Sequence, residues 1–421
     1  MNMEKPFLAT FDFSRKNVFA ICMILTVFVS YKYQNFAGIA DFYYHYILYF
    51  LVLIFGFFRV SYNTVWQQPF LKFLLITLVS SAIAYFFQPY PLIHFAKQFG
   101  GFIFIGLTWL VFFILFKGSK QMLFSIYIGI ALIAAFLTIP EQVLHQYDVH
   151  LTPKKGGWIG LFRCYSFTEE PFSLALLLLP ALSFYTQKMA TLSRWGLLQF
   201  AVLLTGFFFT FSGAGWLVFG LFLLFNLWQS LKSNKRWLFA VKILVLTSLS
   251  VGFFSYSGTQ TRVRESMKMV SYFAELPSKK VLVDVNTSTR ALYLNSIVAY
   301  NQVKKNPLTG GGLGSHGVAY KKIVQTPLDS FGIYIAHYNQ LDGGSGLIRL
   351  LSEFGLVGLF FILYVFYSII KFEYVALRMP FALFWMAYLI HSGNYFLHGT
   401  FFWLMMLLID SKRLEGITKS G

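Results

Sequence analysis

Apolar runs approaching the ~20 residues needed to cross a bilayer recur along this chain. The early runs are Val18 to Tyr31, Phe42 to Phe58, Phe70 to Phe87, Phe99 to Phe116 and Met122 to Ile139. Phe172 to Tyr185, Leu197 to Phe211, Trp216 to Trp228 and Leu238 to Phe254 continue the pattern. After a long polar interval come Phe354 to Ile370, Phe381 to Ile390 and Phe396 to Ile409. Read together, they predict an all-α polytopic membrane protein of about twelve transmembrane helices, with a large extracytoplasmic loop between the ninth and tenth. The expected division is 1–256 for the first nine helices, 257–352 for the loop with amphipathic helices, and 353–421 for the last three helices and a tail. Composition argues against a water-soluble domain: only 12% of residues are charged and 57% are hydrophobic, whereas soluble proteins carry about 25% charged residues. No signal-peptide cleavage pattern follows the first run.

Lysine and arginine give the orientation. With the amino terminus inside, Lys5, Arg15, Lys16, Arg59, Lys117, Lys120, Lys188, Arg194, Lys232, Lys235, Arg236, Lys371, Arg378, Lys412, Arg413 and Lys419 all fall on the inner side. The short outer loops hold only Lys32, Lys97, Lys154, Lys155 and Arg163. That bias predicts cytoplasmic termini, with Ser257 to Ser352 outside. The net charge of +18 then needs no nucleic acid. Its surplus in the outer loop points to an anionic lipid or phosphate-bearing substrate, or to a solvated loop face touching lipid headgroups.

Within that loop Asn286, Thr287 and Ser288 are capping candidates for an amphipathic helix with Ala291, Leu294, Ile297 and Val298 on one face, ending near Asn306-Pro307. Arg290 in its first turn gains nothing from the helix dipole, so a partner such as phosphate, or simple snorkelling, must explain it. Gly310-Gly311-Gly312-Leu313-Gly314-Ser315-His316-Gly317 resembles a phosphate loop only superficially, because no Gly-Lys-Ser/Thr follows. A structural turn or an anion nest are the readings open to it. His316 and His337 lack zinc-site spacing, and no metal or cofactor is expected. Asp342 precedes a glycine-rich turn at the start of the tenth helix, as a cap or a reactive group. Arg349 and Glu353 are spaced to share a helix face and pair, and Gly355 and Gly358 allow close helix contact. Arg163 and Glu170 lie in the outer loop just before the sixth helix, which starts at Pro171. There an arginine can hold phosphate oxygens and a carboxylate can accept a hydroxyl proton.

Four stretches carry a family resemblance: Arg163 with Glu170-Pro171-Phe172-Ser173; Phe211-Ser212-Gly213-Ala214-Gly215; Arg290 through Asn306-Pro307-Leu308 to Gly314; and Ser345-Gly346 through Glu353-Phe354-Gly355-Leu356-Val357-Gly358. In this order the chain resembles the bacterial O-antigen ligase and Wzy-type polysaccharide polymerase superfamily. The resemblance implies a GT-C-type, metal-independent glycosyltransferase at the outer face of the bacterial inner membrane, drawing on undecaprenyl-diphosphate-linked oligosaccharides. It further implies membrane lipids, a chain-length regulator and a flippase as partners, with no nucleic acid and no cofactor. Glu170, Arg290, His337 and Asp342 would be catalytic, with Arg163, Arg290 and Arg349 binding the diphosphate. Gly344 stands where ligases usually carry histidine, which favours the polymerase branch. Ligation to lipid A-core, a lipid-linked glycan transporter and a non-enzymatic scaffold are the alternatives.

Overall fold

The computed structural model describes residues 15–29, 32–36, 40–43, 45–60, 68–116, 119–149, 161–168, 170–231, 236–255, 264–265, 267–269, 271–272, 275–276, 278–330, 339–396 and 399–409. The chain is mostly α-helical. Helix α1 (Arg15–Phe28) leads into an antiparallel two-stranded ribbon, β1 (Lys32–Phe36) with β2 (Ala40–Tyr43), and then α2 (His45–Phe57). The second apolar run therefore enters its helix later than expected, because its aromatic first residues pair as a strand. The helices α3 (Pro69–Phe87), α4 (Leu92–Leu115), α5 (Lys120–Gln146), α6 (Pro171–Lys188), α7 (Arg194–Phe209), α8 (Gly213–Leu231) and α9 (Arg236–Ser255) follow.

Beyond them lie α10 (Lys279–Asp284), α11 (Thr287–Lys305), α12 (His316–Tyr320), a π-turn and α13 (Thr326–Ser330). Three last helices complete the fold, α14 (Gly346–Lys371), α15 (Val375–His391) and α16 (Thr400–Leu408).

The twelve-span expectation is corrected. Among the described residues, only four helices, α3, α4, α5 and α14, are long and apolar enough to cross a membrane. A helix rises about 1.5 Å per residue, so a ~30 Å hydrocarbon core needs about twenty. Several apolar runs fall short of that: α7 has 16 residues, α15 has 17 and α16 has 9. The run Phe172 to Tyr185 became α6, which is buried on every side from Pro171 to Thr186. An all-round apolar helix is what a protein core as well as a lipid phase selects, and α6 sits against α5, α7, α8 and α15.

Aromatic contacts join this interior. Trp109 packs edge-on to Phe402 at 5.4 Å, and Tyr127 to Trp403 at 4.9 Å. All nine residues of the short α16 are buried, which sets it inside the helix assembly against α3, α4 and α14. A second, smaller core lies in the 257–352 interval, where Leu282, Val285, Leu294, Ile297, Val298, Tyr320 and Val324 pack together. Asn286 caps α11 as expected, its side chain accepting from the Ser288 N–H at 3.0 Å. The predicted apolar face of α11 is buried.

Candidate functional site

The site grows from a break in α14. Ser345 caps the helix, its Oγ accepting from the Ile348 N–H at 3.4 Å and donating to the Leu389 carbonyl at 2.6 Å. Ten residues on, Gly355 takes φ 54° and ψ −130°, which interrupts the helical hydrogen-bond ladder. Backbone groups freed in an apolar phase must find partners within the protein. Here the segment after α11 supplies them. The Leu356 and Val357 N–H groups donate to the carbonyls of Pro307 (2.9 Å) and Leu308 (3.1 Å). In return the Ser352 and Glu353 carbonyls accept from Gly311 (2.9 Å) and Gly312 (2.8 Å).

The approach is close enough to demand glycine on both sides. A Cβ on Gly355 would lie 2.4 Å from the Pro307 oxygen, and one on Gly310, at φ +59°, would lie 2.6 Å from the Ser352 oxygen. The same loop is pinned to α3 and the turn after it. Tyr90 Oη–H donates to the Leu313 carbonyl at 2.6 Å, and the Leu313 N–H donates to Ser81 Oγ at 3.2 Å. The N–H groups of Gly311 and Gly312 that could have formed an anion nest are thus spent on a helix break. The glycine run is a structural turn.

A buried polar cluster surrounds the break. Arg349 and Glu353 pair as their spacing predicts, Nε to Oε1 at 3.4 Å, both fully enclosed. Arg349 also donates from Nη1 to the Gly393 carbonyl at 2.9 Å and lies 4.0 Å above the Tyr395 ring. Tyr395 in turn faces the Glu353 carboxylate. One helical position from Glu353, Ser352 Oγ is 2.8 Å from His316 Nδ1, while His316 Nε2 is 2.8 Å from Asn295 Oδ1. Asn295 uses its amide nitrogen to donate to the Ala291 carbonyl, so its Oδ1 is the acceptor and His316 Nε2 carries the proton. His316 Nδ1 then accepts from the Ser352 hydroxyl. Burial and the charge of Arg349 lower the His316 pKa to about 3, so the ring is neutral at physiological pH.

The residues singled out in the sequence are not gathered at one place by any contact seen here. Arg163 reaches the Thr210 carbonyl through Nε at 3.5 Å. Its loop is held instead by two α5 residues that the sequence reading passed over. Gln142 pairs with the Phe162 backbone, and the buried Glu141 carboxylate accepts from the Ser166 N–H at 3.0 Å. Glu170 is exposed at the N-cap position of α6 and makes no side-chain cap hydrogen bond. Arg290 donates to the Leu282 carbonyl at 2.9 Å, and its charge bears on Tyr320. Those contacts serve the smaller core. Asp342 Oδ1 accepts from the Gly344 N–H at 2.9 Å within the turn before α14, and its charge also reaches Arg349. His337 lies outside the described residues. Of the six, Arg349 and Asp342 belong to the cluster. His316, Asn295, Ser352 and Tyr395 were missed, because their partners come from segments far apart in the chain.

Beside the cluster is an apolar cavity of about 410 Å³. Its walls are α3 from Pro69 to Ser80, α14 from Leu350 to Tyr364, Trp385 and Tyr388 of α15, Tyr395, and the Thr400, Phe401, Leu404 and Leu408 face of α16. The helices α3 and α14 run antiparallel along it. Phe73 meets Phe361 at 4.8 Å, while Ser81 holds the loop that binds the Ser352 and Glu353 carbonyls. Lys72, exposed in the first turns of α3, is the one charged residue among those described that line it. Trp385 is buried in the wall.

The chain matches no family model, no curated protein and no solved structure. With four spans among the described residues in place of twelve, the resemblance to the O-antigen ligase and polysaccharide polymerase superfamily is withdrawn. With it go the GT-C fold, the glycosyltransferase activity, and the polymerase, ligase and glycan-transporter readings. The glycine and proline motifs that suggested them have structural causes. Gly310, Gly311, Gly312 and Gly355 of the third and fourth stretches fit the loop to the helix break, and Gly215 lets α8 approach Ala175, which an added Cβ would meet at 2.9 Å. Glu170-Pro171 is a helix start. Among the described residues no group of three or more His, Cys, Asp or Glu side chains could hold a metal ion.

Proposed function

We propose that the protein is a membrane-embedded binder of an anionic amphiphile, whose hydrocarbon chain occupies the cavity between α3, α14, α15 and α16. The observation that carries this reading is the cavity itself: a volume of about 410 Å³ with almost wholly apolar walls and a single lysine at one end. Small-molecule sites of ~300–1,000 Å³ combine such walls with a few placed polar groups. A chain of methylenes would replace contacts that the walls otherwise lack. Lys72 can extend along the wall and set its ammonium against a phosphate headgroup.

The same end of the assembly is basic. Lys120 pairs with Glu373 at 3.4 Å beside Lys371, and Arg378 donates to the Phe372 carbonyl at 2.9 Å. We assign that end, with both termini, to the cytoplasmic side of a plasma membrane, where lysine and arginine accumulate and anionic lipids are found.

The test is photo-crosslinking of the detergent-solubilised protein with a phosphatidylglycerol bearing a diazirine in its acyl chain. Adducts should fall on Phe73, Thr77, Phe361 and Leu404, and Thr77→Trp, which fills the cavity, should abolish them. Labelling confined to outward residues such as Leu75, Ile83 and Phe86, all exposed, would refute the proposal.

A further inference from the structure

We propose that the cavity selects its amphiphile by the length of the chain, and that Leu350 and Phe354 of α14 stop the chain's methyl end. The inference rests on the lipid-binding reading and adds to it the class of chain that the site takes. The two halves of the cavity differ in access. In the half near Lys72, the lining residues Ile76 and Phe360 are 55% and 66% exposed, and Lys72 and Tyr364 are exposed beside them. Lys72 with Ile76, and Phe360 with Tyr364, are each four residues apart and so share one edge of their helix. Those two edges frame a mouth along the seam between α3 and α14. In the other half the lining is enclosed: Leu350 and Phe354 are each 6% exposed, and Ser80 and Tyr388 are buried.

The glycine loop closes that half. The Leu313 N–H donates to Ser81 Oγ at 3.2 Å, one residue past Ser80 on α3. The Gly311 and Gly312 N–H groups donate to the Ser352 and Glu353 carbonyls, which lie between Leu350 and Phe354 on α14. The loop thus straps the two helices together beside the enclosed end. A chain too long for the space cannot push the strap aside without giving up several buried hydrogen bonds.

The walls set the length. Pro69 and Ser80 are eleven residues apart on α3, so the wall runs about 16 Å at the helical rise per residue. Half of a ~30 Å hydrocarbon core is about 15 Å, the reach of the chains of one leaflet. One ordinary membrane chain therefore fills the cavity from Lys72 to the stop. A shorter chain leaves space empty against Leu350 and Phe354, and a longer one crowds them or drives its headgroup past Lys72. Because the seam opens sideways, a two-chain lipid can insert one chain and leave the other in the membrane.

The experiment uses phosphatidylglycerols with paired lauroyl, palmitoyl or arachidoyl chains. Each is titrated, by mole fraction in the micelles, as a competitor of the diazirine probe on the detergent-solubilised protein. The palmitoyl lipid should displace the probe at roughly tenfold lower mole fraction than either of the others, the loss that a few unfilled or overpacked methylenes bring. Leu350→Ala sets the stop back and should move the preference to the arachidoyl lipid, whereas Ile76→Ala at the mouth should leave the palmitoyl lipid preferred. Equal displacement by all three lipids in the wild type, or a steady gain through arachidoyl, would overturn the length selection and leave the cavity reading standing. An unmoved preference in folded Leu350→Ala would overturn the assignment of the stop. If no lipid displaces the probe, the lipid-binding reading fails and the length selection with it. The wild-type series decides the matter even where the variant does not fold.

Discussion

Replacing Gly355 with alanine tests whether the break in α14 is built by design of the backbone. At φ 54° and ψ −130° a Cβ is strained before any neighbour is considered, at a cost of about 1–3 kcal/mol. Here it would also meet the Pro307 oxygen at 2.4 Å and the Gly310 nitrogen at 2.8 Å. Both contacts are rigid main chain, so relief requires the loop to move off the helix. That movement endangers the bonds from Leu356, Val357, Gly311 and Gly312, each contributing about 0.5–1.5 kcal/mol. We expect a destabilisation of roughly 3–6 kcal/mol, read as a fall in apparent Tm on the order of 5–10 °C.

The assay is a thermal scan following exposure of the buried Cys164 to a thiol-reactive fluorophore, in a Cys22→Ser background that removes the exposed thiol. Gly100→Ala is the control. An added Cβ there meets nothing within 4 Å in the interior of α4, so its Tm should hold or rise with the better helix propensity of alanine. Equal Tm values for Gly355→Ala and Gly100→Ala would refute the account of the break.

The same scan checks two further expectations. Because His316 titrates near 3 in the fold and near 6.5 when unfolded, the unfolded chain binds the extra proton between those values. The stability held by the neutral ring is complete above pH 6.5 and falls by about 2 kcal/mol at pH 5, and His316→Gln should flatten this pH dependence of Tm. Arg349→Met leaves Glu353 uncompensated in a buried setting and should cost about 3–5 kcal/mol, whereas Arg349→Met with Glu353→Gln should recover part of it. Additive losses in that cycle would show that the pair is not coupled.

Local features were legible in the sequence where their causes are local. The α11 cap at Asn286, its apolar face, the Pro171 start of α6 and the Arg349–Glu353 spacing each depend on residues within a turn or two of one another. The count of membrane spans was not, because an apolar run reads the same whether lipid or protein covers it. The α6 run and the nine residues of α16 are covered by protein. The glycines after Asn306 announced a tight backbone path without saying what it served. Its purpose appears only when Gly310 to Gly312 meet Ser352 and Glu353 across the fold. His316 stood out only as a histidine without metal-site spacing, since Asn295 and Ser352 lie far from it in sequence and have no characteristic spacing.

Tyr388 and Tyr395 explain how a buried charge cluster and an apolar chamber can be neighbours. Both rings line the cavity, and both lie within the electrostatic reach of Arg349 and Glu353. Tyr395 offers its face to the guanidinium at 4.0 Å, a favourable contact for a desolvated cation, and presents hydrocarbon to the chamber. Arg349 and Glu353 themselves are not lining residues. A guanidinium opening directly on the cavity would draw water or anionic groups into it and penalise a hydrocarbon chain. An amphipathic ring separates the two. Tyr388 is held in the same wall by close packing on the start of α14, where a Cβ on Gly346 would meet its ring at 2.6 Å. Arg349 and Glu353 thus lie behind an aromatic wall, while Leu350, Phe354, Val357 and Gly358 of the same helix line the cavity.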